Sequence, residues 1–143
     1  MSRLIRMGES VLRRLVGSKT LTISWVTPYV AVGGEVDASL RSELLDAGIT
    51  IIVDVRKCFD ESMNPIRSKI QTLVWCLPSE KELESNGNKI LFHCQAGIDR
   101  SPFIAMYYHW CYGARPSLMN HYNIVKSARP QTVIHDDWVR MFE

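Results

Sequence analysis

The chain has 143 residues, 46% of them hydrophobic and 22% charged, which is the length and composition of one ordinary globular domain. It is too short for a second catalytic domain and too apolar for a disordered chain. Seventeen Lys and Arg against fifteen Asp and Glu leave a formal charge of +2, too even to argue for nucleic acid by bulk charge, so any preference for anions is local.

Cys58, Cys76, Cys94 and Cys111 form no Cys-x-x-Cys pair and have no His-x-x-x-His partner, which argues against a zinc site, thioredoxin-like redox chemistry and a secreted disulfide scaffold. The longest apolar stretch, Phe103 to Tyr112, is interrupted only by His109 and is about half the roughly 20 residues a membrane helix needs. It reads as a buried helix, and the expected location is cytoplasmic.

In chain order, Leu4, Ile5, Val11, Leu12, Leu15 and Val16 stand at helical spacing with Arg3, Arg6, Arg13 and Arg14 between them. This predicts an amphipathic helix over about 1–20 that packs on the domain or serves as a presequence or an anchor to an anionic membrane surface. The main domain is expected over 21–143. Leu21 to Trp25 and Tyr29 to Val32 read as short strands around Pro28, with Gly33-Gly34 as a turn. Asp37 or Ser39 caps a helix running to about Ala47 and stopped by Gly48. The β-branched run Ile49 to Val55 predicts a strand covered on both faces. Gln71 to Leu77 and Ile90 to His93 read as two more strands, the second after the turn Asn86-Gly87-Asn88. Helices follow over Pro102 to Tyr112, Ser117 to Ala128 and Asp136 to Phe142, with Gly113-Ala114-Arg115-Pro116 and Arg129-Pro130 as breaks. The fold class is α/β, with a central, mostly parallel sheet of about four or five strands flanked by helices.

The most informative stretch is Ile90-Leu91-Phe92-His93-Cys94-Gln95-Ala96-Gly97-Ile98-Asp99-Arg100-Ser101-Pro102, a strand, a short loop and a helix start. Pro102 suits a first helical turn, where its missing N–H costs nothing. Backbone N–H groups from Gln95, Ala96, Gly97, Ile98, Asp99 and Arg100 can converge on one point, aided by the helix dipole, and Gly97 permits the curvature. That point attracts a dianion. The same groups and the charge of Arg100 favour a nucleophilic thiolate at Cys94. The planar fork of Arg100 can grip two phosphoryl oxygens through a trigonal bipyramid. Ser101 can donate to the sulfur when it leaves, and His93 orients the loop.

This segment resembles the Cys-x-x-Gly-x-x-Arg-Ser/Thr loop of the cysteine-dependent protein tyrosine phosphatase superfamily, and most closely its small dual-specificity members of compact microbial type. Trp25 to Gly34 and Leu45 to Arg56 are similar to the family's early strand, helix and strand, and Ala128-Arg129-Pro130 ends a helix as the family's Arg-Pro does. The resemblance covers about 22–142 and implies a tyrosine-phosphatase-like fold and a phosphocysteine intermediate. It also implies phosphoprotein or phosphopeptide substrates and no metal or cofactor. Two alternatives stand beside it: a phosphoinositide or RNA 5′-phosphate phosphatase, and a phosphate-binding module without catalysis. A disulfide from Cys94 to Cys58 or Cys76 is a minority expectation.

The pattern departs from the family in one place. The family's general acid Asp follows the strand corresponding to Gln71 to Leu77, and a full helix follows it. Here the twelve residues Pro78 to Lys89 hold Glu80, Glu82 and Glu84 but no Asp. Three sources of the acid remain open: Asp99, which occupies the position of the loop aspartate in myotubularin-like lipid phosphatases; Glu80 or Glu82 from the shortened loop; and Asp60. Asp54 at a strand end is read as structural.

Overall fold

The computed structural model describes residues 22–113 and 117–143; the expected N-terminal helix lies outside the described residues. Four short strands, β1 (Ile23–Thr27), β2 (Val30–Gly33), β3 (Ile51–Asp54) and β4 (Ile90–His93), form one sheet in the order β1-β2-β4-β3. β1 runs antiparallel to β2, while β2 and β3 both run parallel to β4, as the mostly parallel sheet requires.

Helices α1 (Arg41–Asp46), α2 (Arg67–Trp75), α3 (Glu80–Asn86), α4 (Arg100–Tyr112), α5 (Leu118–Ala128) and α6 (Asp136–Phe142) complete the fold. Local chemistry sets their ends. Asp37 accepts the Ser39 N–H at 2.8 Å and caps a 3-10 turn, Ala38–Leu40, ahead of α1. Ser79 and Glu82 close a reciprocal capping box on α3, and Gly87 ends that helix at φ +67°.

The central strands are buried on both faces, so alternate residues feed two cores. Val30, Val32, Ile90 and Phe92 join the large core beneath α2, α4 and α6, whereas Ala31 and Leu91 pack with Leu44 and Ile49 on the α1 side. α4 is the axis of the large core, with every residue from Ser101 to Tyr108 buried. An aromatic block fixes α6 against it: Phe103 lies 5.5 Å from Trp138 and 5.7 Å from Phe142, and Tyr107 lies 4.8 Å from Phe142.

Two expectations are corrected. Gln71 to Leu77 is not a strand: residues 71–75 are the second half of α2, and the buried residues are Ile70 and Val74, four apart on one helical face. The apolar run from Leu73 to Leu77 imitates a buried strand, yet Trp75 is 69% exposed. β3 is not covered on both faces either. It is the sheet edge, and Ile52 is 49% exposed. The six-residue α1 is too short to cover it and leaves a cavity of ≈ 690 Å³ bordered by Leu44, Leu45, Ile52 and His93. Among the described residues no helix is long and apolar enough to cross a membrane.

Candidate active site

β4 delivers His93 and Cys94 to the carboxyl edge of the sheet, where Gly33 of β2 and Asp54 of β3 stand in register with His93. α4 begins six residues after the cysteine, with Asp99 as its N-cap. The loop between them rests on the Gly33-Gly34 turn: the Cys94 N–H donates to the Gly33 carbonyl at 3.3 Å and the Glu35 N–H to the Gln95 carbonyl at 2.8 Å. Gly97 adopts φ +68°, and a Cβ there would lie 2.7 Å from Gly33 C and Gly34 N and 2.6 Å from Arg129 Nη2. Glycine is required by both conformation and space.

Cys94 is fully buried but faces polar groups rather than hydrocarbon. Its Sγ accepts the Gly97 N–H at 3.2 Å and lies 3.3 Å from Ser101 Oγ, which donates to the Gly33 carbonyl at 3.0 Å. Gln95, Ala96 and Ile98 are exposed around it. The Arg100 Nε is shielded from solvent and meets no acceptor among the described residues. Of the six amides expected to converge, that of Gly97 meets the sulfur, while that of Arg100 is taken by Asp99 Oδ1 at 2.8 Å. His93 is buried, its carbonyl accepts the Val55 N–H at 3.0 Å, and burial pushes its imidazole below the ordinary range, with the charge of Asp54 opposing.

A strap from the end of α5 to the start of α6 ties three consecutive loop residues. Arg129 Nε donates to the Gly97 carbonyl at 2.6 Å, the Val133 N–H to the Ile98 carbonyl at 2.8 Å, and His135 Nε2 lies 3.1 Å from Asp99 Oδ2. The Arg129 guanidinium is buried and also donates from Nη1 to Ser24 Oγ at 3.1 Å. Burial pushes its pKa down, and the charge of the Cys94 sulfur opposes that shift; the buried cation and a sulfur anion attract one another. The roles of Arg129 and His135 escaped the sequence reading. Arg129-Pro130 marked a helix end, but nothing local shows that the side chain turns inward under a loop 32 residues away.

The other carboxylates are placed as follows. Asp54 takes Arg56 Nε at 2.9 and 3.1 Å and Nη2 at 2.6 Å, and these bonds hold its carboxyl below the usual range against burial. Asp60 Oδ1 accepts the N–H groups of Ser62 and Asn64, both at 2.9 Å, and so closes its own exposed turn. The segment 78–89 is chiefly a helix rather than a loop that can swing in. Glu82 is held in the α3 capping box, and Glu80 bonds Thr27 and stands 3.7 Å from His109. His109 is nine residues beyond Arg100 on α4, roughly 13 Å along its axis, so the structure brings neither glutamate to Cys94. None of the four cysteines forms a disulfide; Cys58 is buried, which pushes its thiol up, and Cys76 is exposed. Among the described residues no group of three or more His, Cys, Asp or Glu stands together to hold a metal ion.

No protein-family model matches the sequence and no curated protein matches it. Solved structures do match. Human DUSP28 aligns over 84% of this chain and 94% of its own, with 18% identity and a TM-score of 0.61. A mouse dual specificity phosphatase complexed with zinc tungstate gives 20% identity and 0.66 over 84% and 87%. PTPMT1 in complex with PI(5)P gives 13% and 0.66 over 82% and 90%. The chain has the tyrosine-phosphatase fold. In this phosphatase fold the Cys94 loop lies at the carboxyl edge of the parallel strands, where open α/β sheets place their ligands.

Proposed function

We propose that the protein is a cysteine-dependent phosphatase that hydrolyses phosphotyrosine, and with it phosphoserine and phosphothreonine, in proteins. The observation that carries this reading is the Cys94 sulfur set against the Gly97 N–H and the Ser101 hydroxyl, at the start of a helix whose first residue is Arg100. The fold of the neighbours supports it.

In this reading a phosphoryl dianion sits over the loop residues Gln95 to Arg100, gripped by the Arg100 guanidinium. The Cys94 thiolate attacks phosphorus; an S–P bond forms, the P–O ester bond breaks, and the ester oxygen takes its electron pair and a proton. Water then attacks phosphocysteine and the S–P pair returns to sulfur. Ser101 stabilises that leaving thiolate by turning its hydroxyl from the Gly33 carbonyl to the sulfur 3.3 Å away. The proton transfers take place at the rim beside Asp99, and His93 supports the loop from below.

A second reading, a phosphoinositide phosphatase, is favoured by the exposed apolar side chains of Ile98 and Val133 beside the loop and by the likeness to PTPMT1 bound to PI(5)P. The test compares turnover of a phosphotyrosine peptide, a phosphoinositide and 5′-triphosphorylated RNA, with Cys94→Ser as the blank. Peptide turnover above the blank supports the first reading. Fast lipid turnover with negligible peptide turnover reverses the order, and phosphate binding with no turnover leaves a binding module.

A further inference from the structure

At the rim of the cradle stands a carboxylate–histidine pair. Asp99 Oδ1 accepts the Arg100 N–H at 2.8 Å, and Asp99 Oδ2 lies 3.1 Å from His135 Nε2. Oδ1 is thus engaged as an acceptor and Oδ2 shares a hydrogen bond with the imidazole, at a helix N-terminus where the dipole favours negative charge. Both carboxylate oxygens therefore have a partner, and the carboxyl is held between the helix start and the imidazole.

His135 presents its Nε2 to a fixed carboxylate, which orients the ring. Its ring stacks on Trp138 at a centroid distance of 4.0 Å, and Trp138 is anchored by Phe59 and Phe103. The side chain remains 37% exposed, beside the loop, and Nδ1 makes no hydrogen bond among the described residues. An imidazole is the side chain most often used to give and take a proton in catalysis.

Resting on the phosphatase reading above, we propose that His135 is the catalytic acid and base, with Asp99 as its positioning partner. In the first half-reaction the ester oxygen, receiving the P–O electron pair, takes the proton from His135 Nδ1 and departs as the alcohol or phenol. In the second, the neutral Nδ1 takes a proton from the water whose oxygen attacks phosphorus, and the S–P pair returns to Cys94. The imidazolium and the thiolate are both regenerated, and the products are the alcohol and hydrogen phosphate.

The test uses the full chain with two substrates of unlike leaving group, phenyl phosphate and 4-nitrophenyl phosphate. His135→Gln keeps an N–H to offer Asp99 but has no proton to transfer. It should lose about 100-fold or more on phenyl phosphate, and far less on 4-nitrophenyl phosphate, whose phenolate leaves without help. His135→Ala should behave alike and regain phenyl phosphate turnover with added imidazole. Asp99→Asn should cost less than His135→Gln on the same substrate. Equal losses on both substrates, an unimpaired His135→Gln, or a larger loss in Asp99→Asn would overturn the assignment; His135→Gln decides it if the alanine variant fails to fold. If the wild type turns over neither substrate faster than Cys94→Ser, the phosphatase reading falls and this inference with it, a result distinct from parallel losses in an active enzyme.

Discussion

Two carboxylate–histidine pairs sit at opposite ends of α4, and they are built differently. At the N-terminal end Asp99 and His135 approach to 3.1 Å with the imidazole 37% exposed. At the far end His109 Nε2 is shielded, stands 3.7 Å from Glu80 beyond hydrogen-bond reach, and has no other partner among the described residues. His109 Nδ1 lies 2.9 Å from the Ala105 carbonyl of its own helix, and Glu80 is also held by Thr27. The far pair fastens α3 and β1 to α4, and Tyr108 and Tyr112 help by donating to the Pro78, Val74 and Leu77 carbonyls. The near pair fastens a loop and leaves part of the imidazole toward solvent. The imidazole is thus shielded at one end of the helix and part-exposed at the other, and its burial separates the two pairs.

Substitutions at the two ends should therefore fail in different ways. The largest effect is expected at the near end from Gly97→Ala. A left-handed backbone costs about 1–3 kcal/mol for a residue with a Cβ, and overpacking against the Gly33-Gly34 backbone adds about 1–3 kcal/mol. Turnover of 4-nitrophenyl phosphate should fall by about 100-fold or more, since roughly 1.4 kcal/mol of lost organisation is tenfold in rate; a near-normal rate would show that the loop needs no glycine.

Arg129→Met should come next. It removes the donors to the Gly97 carbonyl and Ser24, and unpairing a buried acceptor costs about 1–3 kcal/mol, so a loss of roughly 10- to 100-fold in kcat with retained secondary structure is the expected outcome by kinetics and circular dichroism. At the far end, His109→Gln should leave the rate at 25 °C unchanged and lower Tm by a few degrees, on the order of 1 kcal/mol. A leaving-group-dependent rate loss there would erase the distinction between the pairs.

The smallest effect is electrostatic. The His109 imidazole, followed by the Thr27 hydroxyl, holds the Glu80 carboxyl below the usual range against burial. A carboxyl lowered by folding contributes stability that is fully present above its unfolded pKa of about 4.3 and is lost as pH falls through the folded value. Glu80→Gln should therefore reduce the unfolding free energy from urea titration at pH 7 slightly, by less than about 1 kcal/mol for a partly exposed group, and the difference from wild type should shrink below about pH 4. A difference that grows on acidification would reverse the sign.

How much of this was legible in the sequence depends on whether the relevant partners are near in the chain. The loop from His93 to Pro102 is contiguous, so strand, loop and helix could be read together, and they form as expected, although the capping by Asp99 was not foreseen. The cap at Asp37, the helix start near Ser117 and the boundaries of α6 were likewise local. The stretch from Gln71 to Leu77 misled because its apolar run lies at the end of a helix whose buried face, Ile70 and Val74, begins before the window. Ile52 looked like a core residue because composition cannot tell an edge strand from a central one. Arg129 and His135 were illegible for a similar reason: their meaning lies in Gly97 and Asp99, more than 30 residues away, and only the crossing of α5 and α6 past the loop joins them.

The central claim is that the Cys94 sulfur accepts the phosphoryl group. Mass spectrometry of acid-quenched turnover mixtures tests it most directly. The account predicts a phosphoryl adduct on the peptide carrying Cys94, absent from Cys94→Ser; steady turnover with no adduct on that peptide, or with undiminished rate in Cys94→Ser, would contradict it.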